Sequence, residues 1–129
     1  MRSHTFSEPV ILSVQSIPEH PSAIRMRLPE PPNGDPDDEA FLYRIGPDIF
    51  GFFNRCGHVR MPMDLDDGKF FDLEGMIICR VHGARFDEYS GSCVMGPSPV
   101  GLYRLLFDRL DSPESSIQIT GWEGPIPPN

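Results

Sequence analysis

The sequence lacks any long apolar run, and basic residues are scarce in it. No stretch of the 129 residues reaches the roughly 18 consecutive apolar residues that a membrane-spanning helix needs, so we expect no membrane insertion. Only 11 Lys and Arg residues oppose 19 Asp and Glu residues, which gives a net charge of -8. This charge repels nucleic-acid phosphates, so no nucleic-acid partner is expected. The first nine residues contain neither an apolar signal core nor a twin-arginine motif, which predicts a soluble cytoplasmic protein.

Cysteine is also scarce, and its number is odd. Three cysteines cannot all pair with one another, whereas a secreted disulfide framework has an even number. A fold stapled by disulfides is therefore not expected. These side chains would instead serve metal binding, redox chemistry or simple burial in the core.

Proline and glycine, in contrast, are abundant. The chain has 15 prolines and 12 glycines, and proline interrupts helices because it lacks an N–H and clashes with the preceding turn. Alternating apolar residues between these breaks predict short strands, for example at 24–28 and 41–45. We therefore predict one all-β domain over residues 10–122, a loose polar terminus over 1–9 and an extended tail over 123–129.

Turn residues allow three further local predictions. Residues 35–39 carry four acidic side chains next to an Asn-Gly pair, which predicts a solvated loop. Residues 69–72 and 76–78 are predicted to be two short strands separated by Glu-Gly. Cys93 follows a Ser-Gly turn in another short strand, where we expect it to be buried.

Two pairs of potential metal ligands carry the chemistry of the chain. They are Cys56-x-His58 and Cys79-x-x-His82, each after a predicted strand, and 20 residues lie between the pairs. Loops at strand ends can direct both side chains of a pair toward one site, which predicts two thiolates and two imidazoles around a metal. Burial in the core is the simpler interpretation of such residues. A zinc site is another interpretation, but structural zinc sites usually take both cysteines from one knuckle and both histidines from the other.

One Cys and one His in each loop suit a cluster of two unlike irons, one bound by both thiolates and the other by both imidazoles. The chain continues after the second pair with Gly83, Arg85-Phe86-Asp87, Gly91 and Gly96-Pro97-Ser98-Pro99. This ordered set resembles the Rieske two-iron two-sulfur domain of ferredoxins and ring-hydroxylating oxygenases, over nearly the whole chain. The resemblance implies an antiparallel β sandwich or barrel with a small cluster-binding subdomain at about residues 55–99.

The resemblance also implies a role for each site residue. The ligands of the inner iron would be Cys56 and Cys79, and those of the outer iron would be His58 and His82. Gly83 would let the backbone approach the sulfides of a [2Fe-2S] cluster. Pro97 would lie in the proline loop that covers the cluster and excludes water.

The implied function is one-electron transfer by a soluble carrier. Such a protein would pass electrons from a flavin reductase to a terminal oxygenase, or serve another oxidoreductase, without being an enzyme alone. Outside the two pairs only His4 and His20 remain, with no convincing 2-His-1-carboxylate spacing. The alternative is a binding or regulatory module of the same fold that holds zinc or no metal.

The resemblance also predicts the reduction potential. Respiratory Rieske proteins have an additional, bridging cysteine in each ligand loop and a serine after the second glycine. This chain has Met61, Val81 and Ala84 at those positions. We therefore expect a potential at the low end of the range of about -150 to +300 mV that Rieske centres cover.

Four arginines flank the predicted ligands in an otherwise acidic chain: Arg55, Arg60, Arg80 and Arg85. One hypothesis is that the exposed members form a positive collar that recognises an acidic patch on a redox partner. The alternative is that they pair internally with Asp64, Asp87 or Glu88, because guanidinium groups readily satisfy carboxylates.

Overall fold

A computed structural model of the chain describes residues 2–32, 34–35, 37–55, 68–80, 83–96, 100–110 and 115–127. Strands dominate these residues, and the only helix among them is a single 3-10 turn at Val14–Ser16. The described part thus has no helix with the length and apolar character that crossing a bilayer requires. Its strands are β1 (Arg2–Ser13), β2 (Ile24–Arg27), β3 (Glu39–Ile45), β4 (Asp48–Phe53), β5 (Ile77–Ile78), β6 (Arg85–Phe86), β7 (Cys93–Met95), β8 (Arg104–Leu110) and β9 (Ser116–Gly124). The predicted all-β class is confirmed.

The strands form two antiparallel sheets. The larger has the order β1-β9-β8-β4-β3-β2, and the smaller has the order β5-β6-β7. The two ends of the large sheet approach each other, because the Trp122 indole N–H on β9 donates a hydrogen bond of 2.8 Å to the Glu30 carbonyl just beyond β2. The large sheet is therefore curled, and the small sheet is separate from it. A cluster-binding subdomain at about residues 55–99 stays a prediction.

Strand β3 lies between two apolar cores. Phe41 and Tyr43 belong to a core that they share with Phe86 of β6 and with buried Cys79. Leu42 belongs to the second core, in the interior of the curled sheet. Because successive side chains of a strand point to opposite faces, β3 is buried on both sides. It thereby holds the small sheet, and the start of the predicted ligand loop after β5, against the large sheet.

Strand β1 corrects the prediction of a loose terminus over residues 1–9. From Arg2–Ser13 it pairs with β9, apart from a bulge between Thr5 and Val10, and Phe6 is buried in the large-sheet core. Seven of the other eleven side chains of β1 are exposed, and five of these seven are polar, so its sequence has little apolar alternation. Its hydrogen-bond partner lies at the opposite end of the chain, which a local pattern does not reveal.

Three other local expectations differ from the structure. Residues 69–72 are irregular apart from a single bridge between Phe71 and Ile77. Cys93 is only partly buried at the start of β7. Beyond β9, Ile126 is buried and exchanges backbone hydrogen bonds with Gly101 and Leu102, so this part of the tail packs on the core. The bounds of the predicted domain, residues 10–122, stay a prediction.

Candidate metal centre

Two of the predicted site residues, Cys79 and Gly83, lie in the described part of the chain. The others lie outside the described residues: Cys56, His58, His82 and Pro97. Their assignment to the cluster and its cover stays a prediction. Accordingly, no group of three or more potential metal-ligating side chains occurs among the residues that the structure describes.

A tight turn at the end of β5 holds Cys79. The Cys79 N–H donates a hydrogen bond of 2.8 Å to the Ala84 carbonyl, and the Gly83 N–H donates one of 2.7 Å to the Cys79 carbonyl. Gly83 has a φ of +76°, a left-handed conformation that costs most other residues roughly 1–2 kcal/mol. These two bonds fix the backbone of Cys79 at the base of the second predicted ligand loop.

The surroundings of Cys79 suit an iron–sulfur cluster. The residue is fully buried in the core beneath the small sheet, where the sulfur of a bound thiolate would be shielded from water. A Cβ placed on Gly83 would meet no atom of the described residues within 4 Å, so none of them fills the space beside the backbone of this loop. A shielded thiol in a loop whose glycine leaves its backbone unobstructed suits a bulky cluster, and the described residues therefore fit this group.

The predicted cover loop begins in contact with the second ligand loop. Gly96 has a φ of +105°, and a Cβ placed there would lie 2.6 Å from the Cα of Ala84. Only glycine permits this approach of the two backbones. Arg85 and Met95 pair directly beside the contact, in the ladder between β6 and β7. The structure therefore brings Gly96 to the second ligand loop, while residues 97–99 lie beyond its described part.

The first predicted ligand loop leaves β4 through Asn54 and Arg55. The Asn54 N–H donates a hydrogen bond of 2.8 Å to the Glu39 carbonyl, which extends the pairing of β3 with β4. Arg55 Nε donates to Oδ1 of Asp38 at 2.9 Å, and Nη2 donates to the same oxygen. Asp38 is therefore a buried acid within the segment predicted to be a solvated loop. No pattern in the sequence distinguishes it from the other acids of that segment.

Two of the four arginines that flank the predicted ligands form ion pairs within the molecule. Arg55 pairs with the buried acid described above, and Arg85 Nε lies 3.0 Å from Oδ2 of Asp72. Internal pairing thus occurs, here with Asp38 and Asp72 and not with the predicted Asp87 or Glu88, while the predicted partner Asp64 lies outside the described residues. Arg80 is exposed, and Arg60 lies outside the described residues. For Arg55 and Arg85 the structure therefore favours internal pairing over a place in a positive collar.

His20 ties the segment before β2 to the hairpin that leads to Cys79. Its Nε2 donates a hydrogen bond of 2.7 Å to the Gly75 carbonyl. Its ring also meets the Phe71 ring edge-on, with the ring centroids 4.5 Å apart. A single histidine has no spacing pattern, so no signal in the sequence points to this contact.

A second polar contact lies beneath the small sheet. The Tyr43 hydroxyl donates a hydrogen bond to the Glu88 carbonyl. Burial raises the pKa of the Tyr43 hydroxyl, and Glu88 and Asp87 raise it further. Burial likewise raises the pKa of the Glu88 carboxyl, with Asp87 as the next cause. The core that supports Cys79 therefore has at its edge a carboxyl group that resists ionisation.

Comparison with known proteins agrees with this geometry. The profile of the Rieske [2Fe-2S] domain matches residues 31–106, which is more than half of the chain and includes both Cys-His pairs. No curated protein matches the sequence. Among solved structures, the ferredoxin of carbazole 1,9a-dioxygenase from Nocardioides aromaticivorans IC177 is 24% identical, with a TM-score of 0.55 over 95% of this chain and 100% of that chain. At this identity the likeness shows the fold. The chain belongs to the Rieske [2Fe-2S] domain family of electron-transfer proteins, and its cofactor is a two-iron two-sulfur cluster.

Proposed function

We propose that the protein is a soluble, cytoplasmic one-electron carrier of the Rieske ferredoxin type. It takes electrons from a flavin reductase and delivers them to a terminal oxygenase or to another oxidoreductase. The observation that carries this proposal is the family match over residues 31–106, because that range includes both predicted ligand pairs. The shared fold with a ferredoxin of a dioxygenase supports an oxygenase system as the electron acceptor.

In this proposal the two ligand loops divide the irons between them. Cys56 and Cys79 bind the inner iron, and His58 and His82 bind the outer iron. The cluster, when bound, supplies a reversible one-electron redox centre. Neutral imidazoles add less negative charge than thiolates, so we expect a potential above that of four-cysteine ferredoxins but at the low end of the Rieske range.

The chain's own contribution is a rigid and shielded base for the cluster. The backbone hydrogen bonds of Cys79 and the full burial of this residue hold one thiolate in a single position. The contact between Gly96 and Ala84 keeps the start of the cover loop against the second ligand loop. Ligands that are held by their surroundings reorganise little when the charge of a metal site changes, which suits repeated electron transfer.

The first experiment measures the cofactor of the protein purified without oxygen. We expect a red-brown protein with two irons per chain, whose visible absorption bleaches with dithionite. Cys79→Ser should abolish the colour. Cys93→Ser is the matched control, because this cysteine is partly buried and is not a predicted ligand, and it should keep the colour. A colourless, folded wild-type protein with stoichiometric zinc would instead support the binding or regulatory module and contradict the carrier.

A second experiment addresses the partners. NADH and a catalytic amount of a ferredoxin-reducing flavoprotein should bleach the same absorption band. Adding a terminal oxygenase with its substrate should restore the band. If dithionite bleaches the protein while neither protein partner exchanges electrons with it, the role between a reductase and an oxygenase would be wrong.

A further inference from the structure

We propose that the buried ion pair between Asp38 and Arg55 positions the first ligand loop and thereby determines how firmly the cluster is held. The inference deepens the proposed function and rests on it, because the loop that begins at Cys56 has this role only if it binds the cluster. Asp38 acts through Arg55, so it is a positioning residue and not a ligand.

Asp38 is unusual within its acidic segment. Its side chain has 0% exposure, whereas that of Asp37, the preceding residue, has 79%. Asp35, earlier in the same segment, is partly exposed. Removing a carboxylate from water is costly unless an opposite charge compensates for it, so the inward orientation of Asp38 depends on a specific partner.

Arg55 is that partner. Its side chain is only 15% exposed, and its Nε and Nη2 groups both donate to Oδ1 of Asp38. Two donors on a planar guanidinium restrict the orientation of the side chain more than a single contact would. Arg55 directly precedes Cys56 in the sequence, so the pair acts on the residue from which the first ligand loop starts.

The backbone places this pair at the end of the β3–β4 ladder. Ala40 is opposite Phe53 in that ladder, and the Asn54 N–H bonds the Glu39 carbonyl one step further along. The side chains of the next residues, Asp38 and Arg55, then join the two strands. The chain therefore enters the first ligand loop from a cross-strand clamp.

The hydrogen bonding of Asp38 indicates a positional role more than a stabilising one. Its second oxygen, Oδ2, is buried and has no hydrogen-bond partner among the described residues. A buried ion pair that leaves an oxygen unsatisfied contributes little compared with apolar side chains of similar size. What such a pair does provide is one defined geometry.

The second ligand loop has a looser counterpart, a charge pair in which Arg85 Nε and Asp72 Oδ2 have no hydrogen-bond partner among the described residues. Arg85 lies two residues after Gly83, and its Nε is 3.0 Å from Oδ2 of Asp72. Asp72 also accepts hydrogen bonds from the backbone N–H groups of Glu74 and Met76, at 2.9 and 3.0 Å. An Arg–Asp pair thus lies near the predicted ligands of both loops, which is what clamps on the two halves of one site would require.

The test compares four variants of the cluster-loaded protein with wild type. They are Asp38→Asn, Arg55→Lys, the double variant Asp38→Leu/Arg55→Met, and the exposed control Asp37→Asn. The measurements are the rate at which an iron chelator removes the cluster, the electron paramagnetic resonance g-values of the reduced protein, and the thermal unfolding midpoint of each variant.

We expect Asp38→Asn and the double variant to lose the cluster at least tenfold faster than wild type, with shifted g-values. The control should stay within twofold. Arg55→Lys keeps the charge but loses the planar pair of donors. Its rate of cluster loss should therefore lie between that of the control and those of the other two variants. The double variant should keep the wild-type unfolding midpoint, because an apolar pair replaces the ion pair. Wild-type rates and g-values in both Arg55→Lys and the double variant would overturn the inference, whereas a wild-type protein without a cluster would instead overturn the proposed function.

Discussion

Among single residues, the partly buried carboxyl of Glu88 destabilises the folded protein when it is ionised. Its Oε2 atom is buried and has no hydrogen-bond partner among the described residues. Burial is the main cause that raises its pKa, and the neighbouring charges of Asp87 and Asp72 add to it, while His20 acts in the opposite direction. The folded protein therefore binds a proton at Glu88 more tightly than the unfolded chain does. It follows that stability falls as the pH rises from the ordinary value of 4.5 through the raised pKa.

Replacing this carboxyl by an amide should stabilise the protein near neutral pH. We expect Glu88→Gln to remove the fall in stability above the ordinary pKa and to raise the melting temperature by roughly 2 °C, the scale of an effect below about 1 kcal/mol. Thermal unfolding from about pH 4 to 8 measures both effects. The exposed Glu74→Gln is the control. A curve for Glu88→Gln that runs parallel to that of wild type at all pH values would contradict the prediction.

Gly96 offers a second test at the scale of one residue. Alanine at this position would place its Cβ 2.6 Å from the Cα of Ala84, so the cover loop and the second ligand loop would have to separate. We expect Gly96→Ala to cost about 1–3 kcal/mol of unfolding free energy and to speed the loss of the cluster. Gly34→Ala is the matched control, because Gly34 also has a positive φ but open space around it. Equal cluster loss in the two variants would show that backbone strain, and not the contact, is responsible.

Some residue-scale features are visible in the sequence and others are not. Cys79 can be predicted as a metal ligand because cysteine and histidine at a short spacing after a strand are typical of a metal-binding loop. Asp38 cannot, because whether an acid is buried depends on a side chain that approaches from another strand. In this chain that side chain is Arg55, and no local pattern connects the two positions.

Among the elements, β3 contributes one face to each apolar core. Substitutions on its two faces should therefore destabilise different parts of the fold. Phe41 stacks on Phe70, with the ring centroids 4.2 Å apart, in the core beneath the small sheet, whereas Leu42 belongs to the core of the curled sheet. Phe41→Ala and Leu42→Ala should each cost about 2–5 kcal/mol. Only Phe41→Ala should speed amide hydrogen exchange in β5 and β6. Similar exchange patterns for the two variants would mean that the two cores act as one unit.

Whether a strand can be predicted from the sequence depends on how close its partner strand lies along the chain. The hairpin of β3 and β4 is predictable because apolar alternation stands on both sides of a Gly-Pro turn, and both strands are close in sequence. The first residues of β1 are not, because the partner of this strand is β9. Turn residues indicate where the short hairpins before and after Cys79 lie, but the strand predicted at 69–72 does not form a ladder. Local alternation therefore identifies strands better than it identifies long-range pairing.

For the whole molecule, closure of the large sheet depends on Glu30. Its carbonyl accepts the indole N–H of Trp122 at 2.8 Å. Its carboxylate accepts a hydrogen bond of 2.6 Å from His4 Nε2 and one of 2.9 Å from the Ser7 N–H. The segment after β2 is thus joined to β1 and β9, which lie at the other end of the sheet.

Removing the charge of Glu30 should weaken this closure in a pH-dependent way. The hydrogen bond from the Ser7 backbone, followed by that from His4, lowers the pKa of the Glu30 carboxyl. A lowered pKa stabilises the fold above the ordinary value of 4.5, and this stabilisation is lost as the pH falls through the folded-state value. We expect Glu30→Gln to melt below wild type near neutral pH and to approach it in acid, whereas the exposed Glu8→Gln should match wild type throughout. A melting difference that does not change with pH would mean that Glu30 closes the sheet through contacts that do not require its charge.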